Sequence, residues 1–117
     1  MESFQQLKVW QNAHTLTLKV YEITNVFPKS ELFGLTSQLR QASASISANI
    51  AEGWARNSDA DFARFCKIAL GSTSELENHL LLARDLKFIE TEQQMELSGK
   101  ALEIRRMLIK LIVKLKA

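Results

Sequence analysis

Residues 41–51, QASASISANIA, are a run of small side chains without one charge, bounded by Arg40 and Glu52. Around them Leu32, Leu35, Leu39, Ala42, Ile46, Asn49 and Gly53 recur in steps of three and four. That rhythm keeps one stripe of a helix turned towards a partner. Ala42, Ser43, Ala44, Ser45, Ser47, Ala48 and Ala51 leave the rest of the cylinder thin, so other helices can approach its backbone on more than one side. The missing charge predicts a helix enclosed by protein rather than one lying on a surface.

The remaining chain supplies the neighbours. A first helix is expected over residues 4–26, where Val9, Ala13, Leu16, Val20, Ile23 and Phe27 form a heptad stripe. Phe27-Pro28 ends it, because the residue before proline is driven out of the helical region. Helix two is expected over 31–56, with Ser30 as its N-cap and Glu31 near the positive end of its dipole. Gly34 loosens that first turn, so the regular helix starts as late as Leu35. Ser58 and Asp61 form a capping box that opens helix three over 59–87. This helix carries two stripes: Phe62, Cys66, Ala69, Thr73, Leu76, Leu80 and Ala83, and a more polar one through Phe65, Ile68, Ser72, Glu75, His79, Leu82 and Leu86. Two stripes imply more partners than one antiparallel neighbour. Thr91 and Gln94 are expected to cap helix four over 92–116, whose stripe is Leu97, Ala101, Ile104, Leu108, Leu111 and Leu115. Short connections make consecutive helices antiparallel neighbours. The expected fold is all-α, an up-down-up-down four-helix bundle in one domain, residues 1–117.

Composition agrees with that architecture and excludes others. One proline and four glycines in 117 residues favour long uninterrupted helices. A single cysteine, Cys66, excludes an internal disulfide framework and fits a reducing compartment, so a cytoplasmic location is expected. Its neighbours Phe62, Phe65, Ile68 and Ala69 read as the setting of a buried thiol. No leader peptide is visible, and no charge-free run approaches the ~20 residues that a membrane span needs. No membrane association is expected. The net charge of +2 hides an asymmetry: residues 1–99 hold nine Lys or Arg against twelve Asp or Glu, and residues 100–117 hold six against Glu103 alone.

Catalytic chemistry finds no support in the residues. Carboxylate-bridged metal sites in helical bundles use Glu-x-x-His pairs, but Gln11 precedes His14 and Leu76 precedes His79 at that spacing. Glu75 and His79 share a face without further ligands. Cys66 is about three and a half turns from His79 on one helix, too far to be activated by it. No phosphate-binding loop, dinucleotide fingerprint or zinc spacing occurs. No metal, cofactor, small-molecule substrate or enzymatic activity is expected.

Two polar features remain. Asn49 falls within the helix-two stripe, with Arg40, Glu52 and Arg56 near it in projection. A buried polar group of this kind fixes register or assembly; the alternative is a ligand-binding network. Arg106, Lys110 and Lys114 form a ladder of positive charge on helix four, with Arg105 and Lys116 beside it. Such a ladder is either a solvated face complementing the C-terminal dipole or a set of contacts to nucleic-acid phosphates. Without interleaved aromatics, it would read backbone rather than bases.

Longer segments carry a resemblance. Phe4-x-x-Leu7-x-Val9-Trp10, Phe27-Pro28-x-x-Glu31-x-Phe33-Gly34-Leu35, Gln38-Leu39-Arg40 and Ser45-Ile46-x-Ala48-Asn49-Ile50-Ala51-Glu52-Gly53 resemble the bacterial four-helix-bundle proteins also called 23S rRNA intervening-sequence proteins. Phe62-x-x-Phe65, Ala69-x-Gly71-Ser72-x-x-Glu75-Leu76 and Asp85-Leu86-x-x-Ile89 continue it over nearly the whole chain. The resemblance implies a cytoplasmic homopentamer without known catalysis. Some members are encoded by insertions within large-subunit ribosomal RNA genes. Related accessory proteins of diversity-generating retroelements bind nucleic acid and a reverse transcriptase.

Three departures bear on this chain. Gln41 stands where the family often has a second arginine, which weakens an anion-binding argument there. Ser47 replaces a frequent proline, so helix two should lack that kink. Lys87 replaces a frequent glycine after Asp-Leu, and if left-handed it is strained by about 1 kcal/mol. Gly71 lies off both helix-three stripes, where a second subunit would give reason to keep it. The expected function is an interaction module: a homo-oligomer that presents a basic face, Arg105, Arg106, Lys110 and Lys114, to RNA or DNA. The alternative is a structural or protein-binding oligomer with no nucleic-acid role. Arg40, Asn49, Glu52 and Gly71 are the candidate register and assembly residues.

Overall fold

Four amphipathic stripes meet along one axis, and the computed structural model describes how over residues 2–117. Its helices are α1 (Lys8–Thr24), α2 (Leu35–Trp54), α3 (Asp59–Asp85) and α4 (Thr91–Lys116), with 3-10 turns at Phe4–Gln6 and Lys29–Glu31. No strand occurs among the described residues. Each helix packs on the next, and α4 closes the ring against α1. The short connections make consecutive helices antiparallel, and side-chain contacts tie each pair together. Thr17 Oγ1 donates to the Ser43 carbonyl at 3.1 Å, the Ser45 and Ser72 hydroxyls are 2.8 Å apart, Arg105 donates to Ser74 Oγ at 3.3 Å, and Lys19 pairs with Glu96 at 3.7 Å. The result is an up-down-up-down bundle 44 Å long and about 20 Å across, with extents of 44 × 21 × 19 Å.

The core follows the stripes closely. On α1, Val9, Ala13, Leu16 and Val20 are buried, and Phe27 follows them from the turn beyond. All seven residues of the first α3 stripe, Phe62 to Ala83, are buried. On α4, Leu97, Ala101, Ile104 and Leu108 are buried, but in the last turns Ile112 is the buried residue and Leu111 and Leu115 are half-buried. Leu32 of the α2 stripe is exposed because the helix begins after it, and near the other end Ile50 is buried while Asn49, expected to be buried, is half-buried. Burial of these side chains, at ~1.5–3 kcal/mol each for the large ones, is what offsets the entropy of ordering the chain.

Helix ends depart from the sequence reading in three places. Leu7 is extended (φ −73°, ψ 124°), so the first helix divides into a 3-10 turn and α1. Residues 29–31 form a 3-10 turn rather than a capped helical start, and the α2 terminus is served by Glu31, whose Oε1 accepts from the Leu35 N–H at 3.1 Å. The α4 cap is Glu90, not Thr91. The Glu90 N–H donates to Gln93 Oε1 at 2.8 Å, one residue ahead of the expected Thr91–Gln94 pair. Gln94 cannot reach back because it points inwards. It is buried, donating to Ser98 Oγ at 2.8 Å and accepting from Arg84 at 3.3 Å.

Two ends carry the expected signals. Ser58 Oγ accepts from the Asp61 N–H at 3.1 Å and starts α3, which is half of the expected capping box; the Asp61 carboxylate turns to Arg64 at 3.4 Å instead of reaching back. Lys87 is left-handed at φ 64°. Around it the Phe88 N–H donates to the Ala83 carbonyl and the Lys87 N–H to the Arg84 carbonyl, both at 2.9 Å. That pair of bonds is a Schellman motif, a geometry that favours glycine at the left-handed position. Phe88 then meets Phe27 at 5.4 Å between ring centres and closes this end of the bundle.

Candidate assembly and nucleic-acid interface

The small-residue segment is covered on two sides only. Ala42, Ser43, Ile46 and Ile50 are buried against α1 and α3, whereas Gln41 and Ala48 are exposed and Ser45, Ser47, Asn49 and Ala51 are half-buried. Asn49 Nδ2 donates to the Ser45 carbonyl at 2.8 Å and to Ser45 Oγ at 3.0 Å. Ser45 in turn touches Ser72, so Asn49 is tied to α3 through one intervening hydroxyl. Arg40 and Glu52 take no part in this chain of bonds. Arg40 reaches to α1, where Nε donates to Thr24 Oγ1 at 2.9 Å and the guanidinium lies 4.6 Å from the Tyr21 ring centre. Glu52 pairs with Arg56 at 3.3 Å in solvent.

The second α3 stripe is open in the single chain. Phe65 is buried, but Ile68, Leu82 and Leu86 are each more than 40% exposed, at 44%, 45% and 49%. Gly71 lies in the same region, and a β-carbon there would meet no atom within 4 Å. Gly99 on α4 is equally free. Its neighbours on the outer face, Met95, Leu102, Ile109 and Val113, are exposed apolar residues. Two helix-interior glycines thus stand in open space on faces that also expose large apolar side chains.

The basic residues of α4 separate into two directions. Arg106, Lys110 and Lys114 are exposed and, among the described residues, form no ion pair. Arg105 is half-buried and turned to Ser74 on α3. Lys116 faces α3 as well, and with Arg64, Lys67, Ala60, Ala63 and Leu115 it lines a cleft of about 520 Å³. The Lys116 ammonium, close by and of like charge, holds Lys67 below its ordinary pKa. Sequence reasoning placed Lys116 in the basic end but missed Lys67, which joins it only through the antiparallel pairing of α3 and α4. Positive surface therefore continues from α4 onto α3.

Other candidate chemistry is dispersed. His79 Nε2 is enclosed without a hydrogen-bond partner, 3.8 Å from Glu75 Oε1. Among the described residues no group of three or more His, Cys, Asp or Glu could hold a metal ion. Cys66 is fully buried, and burial pushes its thiol pKa up to about 11. No described helix is long and apolar enough to cross a membrane.

The fold defines a small all-helical four-helix-bundle protein. The chain belongs to the 23S rRNA-intervening sequence protein family, whose family model matches residues 5–110. It is similar to the solved structure of a protein of unknown function from the S23 ribosomal protein family of Bacteroides thetaiotaomicron. That similarity has a TM-score of 0.79 and 28% identity, covering 89% of this chain and 97% of the other. No curated protein sequence matches the chain.

Proposed function

We propose that the chain is a non-enzymatic cytoplasmic interaction module that works as a homo-oligomer, a pentamer by its family resemblance, and offers α4 cations to RNA or DNA phosphates. The observation that carries the nucleic-acid reading is the exposure of Arg106, Lys110 and Lys114 without acidic partners among the described residues. Lys67 and Lys116 extend the same charge onto α3. Assembly is supported by Gly71, where glycine weakens a helix by ~0.5–1 kcal/mol and no described residue comes within 4 Å of an added β-carbon. Several copies would multiply weak phosphate contacts through avidity.

Binding of a labelled single-stranded RNA at two salt concentrations tests this reading. Replacing Arg106, Lys110 and Lys114 with glutamine should weaken binding and flatten the salt dependence by about 2, at ~0.7 per lost phosphate contact. Equal binding by wild type and variant, or none at low salt, removes the nucleic-acid role. A second reading draws on Leu102, Ile109 and Val113, exposed on the same helix as Arg106 and Lys110. That mixture suits a protein partner with an acidic rim around an apolar centre. In that case apolar-to-serine variants at these three positions would abolish partner binding while RNA binding stayed absent.

A further inference from the structure

At the end of the bundle where α1 turns into α2, a cavity of about 250 Å³ opens between Thr24 and Arg40. Its lining charges are both positive, Lys29 and Arg40, and no acid lines it. Glu31, in the adjoining turn, is engaged with the Leu35 N–H. Arg40 is held in place by two residues of the cavity wall and by α1: Nε donates to Thr24 Oγ1 at 2.9 Å, one Nη donates to Asn25 Oδ1 at 3.3 Å, and the guanidinium packs on Tyr21. Among the described residues it forms no ion pair. A charge so positioned and left uncompensated is suited to an incoming oxyanion.

A second observation is independent of the first. Thr36 lines the same cavity, is only 3% exposed, and its Oγ1 has no hydrogen-bond partner. Buried hydroxyls are normally satisfied, and an orphan one is a standing penalty unless something outside the chain bonds it. Thr36 is the second residue of a 20-residue helix, where N–H groups lack intrahelical acceptors and the dipole is positive. The remaining wall is apolar, from Phe27, Pro28 and Leu32. Drug-sized ligands occupy ~300–1,000 Å³, so this volume suits something smaller.

The geometry points to a site for a small oxyanion, a carboxylate or monophosphate with a short apolar arm, held by Arg40 and the Thr36 hydroxyl with Lys29 at its mouth. The arm lies on Phe27 and Leu32. Gln41 is not needed for this site, since it is exposed and donates to Ser37 Oγ at 2.9 Å. The site goes beyond the assembly and nucleic-acid reading and stands or falls separately from it.

Thermal melting and amide NMR of the full chain test the site, with sodium butyrate and potassium phosphate titrated against chloride at matched ionic strength. Either anion, or both, should raise the melting temperature saturably and shift Thr36, Arg40 Nε and Leu32 resonances; which one does so identifies the headgroup. Thr36→Val removes the orphan hydroxyl. It should melt higher than wild type without ligand, yet bind roughly tenfold more weakly, the worth of one good hydrogen bond to a charge. Arg40→Lys keeps the charge, loses the planar fork and should also bind more weakly. Melting that follows ionic strength alone, or undiminished binding by Thr36→Val, overturns the proposal. So does a short oligoribonucleotide moving these resonances when neither small anion does.

Discussion

Gly53 and Phe62 approach so closely that a β-carbon on the glycine would lie 2.8 Å from the phenylalanine ring and 2.9 Å from Phe65 Cβ. The contact is where α2 runs into the start of α3. It explains why the last turn of α2 carries a buried glycine despite the helix-weakening effect of that residue. Trp54 and Phe62 then meet edge-to-face at 6.3 Å between ring centres. Gly53→Ala should destabilise the chain by ~1–3 kcal/mol, the usual range for overpacking a well-filled contact. Urea denaturation measures this, and an unchanged midpoint would show that the two helices part easily.

Gly71 predicts the opposite sign in the separated chain. With open space around it, Gly71→Ala should strengthen α3 by ~0.5–1 kcal/mol when melting is measured on dissociated protein. If another subunit packs there, the added methyl should also reduce assembly mass by light scattering. Higher stability with unchanged mass would remove Gly71 from the assembly surface.

Lys87 offers a cleaner backbone test. Its φ of 64° is enforced by the two bonds that end α3, and its side chain is exposed. Lys87→Gly should therefore gain about 1 kcal/mol from relief of left-handed strain. In a domain of this size that is a rise of roughly 3–5 °C in melting temperature. A fall instead would mean that the entropy glycine adds to the unfolded chain exceeds the relief.

How much of this was legible in the sequence depends on whether a feature is local or relational. The stripe from Phe62 to Ala83 is a matter of helical period alone, and each of its members is buried. Lys87 was legible only through the resemblance, whose members often carry glycine at that left-handed position. The α4 cap was misplaced by one residue, since Thr91 is the better capping residue by composition and Ile89, buried in the preceding loop, sets where the helix can start. Arg106, Lys110 and Lys114 were readable as a basic ladder. Arg105, adjacent in sequence, faces another direction, and Lys67 joins Lys116 from a different helix. The orphan Thr36 hydroxyl had no signature at all, because it depends on where a connecting turn folds back.

Cys66 gives a prediction about pH. Its thiol is fully buried between α3 and the core, and burial raises its pKa from 9.0 to about 11. A folded-state pKa above the unfolded one favours the protonated thiol in the native chain. The associated stability is complete below pH 9 and is lost as pH climbs from there through about 11, because the unfolded thiol ionises first. A shift of this order corresponds to up to ~2–3 kcal/mol, at about 1.4 kcal/mol per unit. Lysines and Tyr21 titrate in the same range, so the comparison is with Cys66→Ala. That variant loses packing at every pH, by an amount set by the small cavity left behind. The wild-type advantage measured by urea denaturation should shrink between pH 9 and 11, and Cys66 should stay unreactive towards a thiol reagent near pH 8 until the chain opens. Parallel stability curves for the two proteins, together with rapid labelling, would place the thiol in contact with solvent.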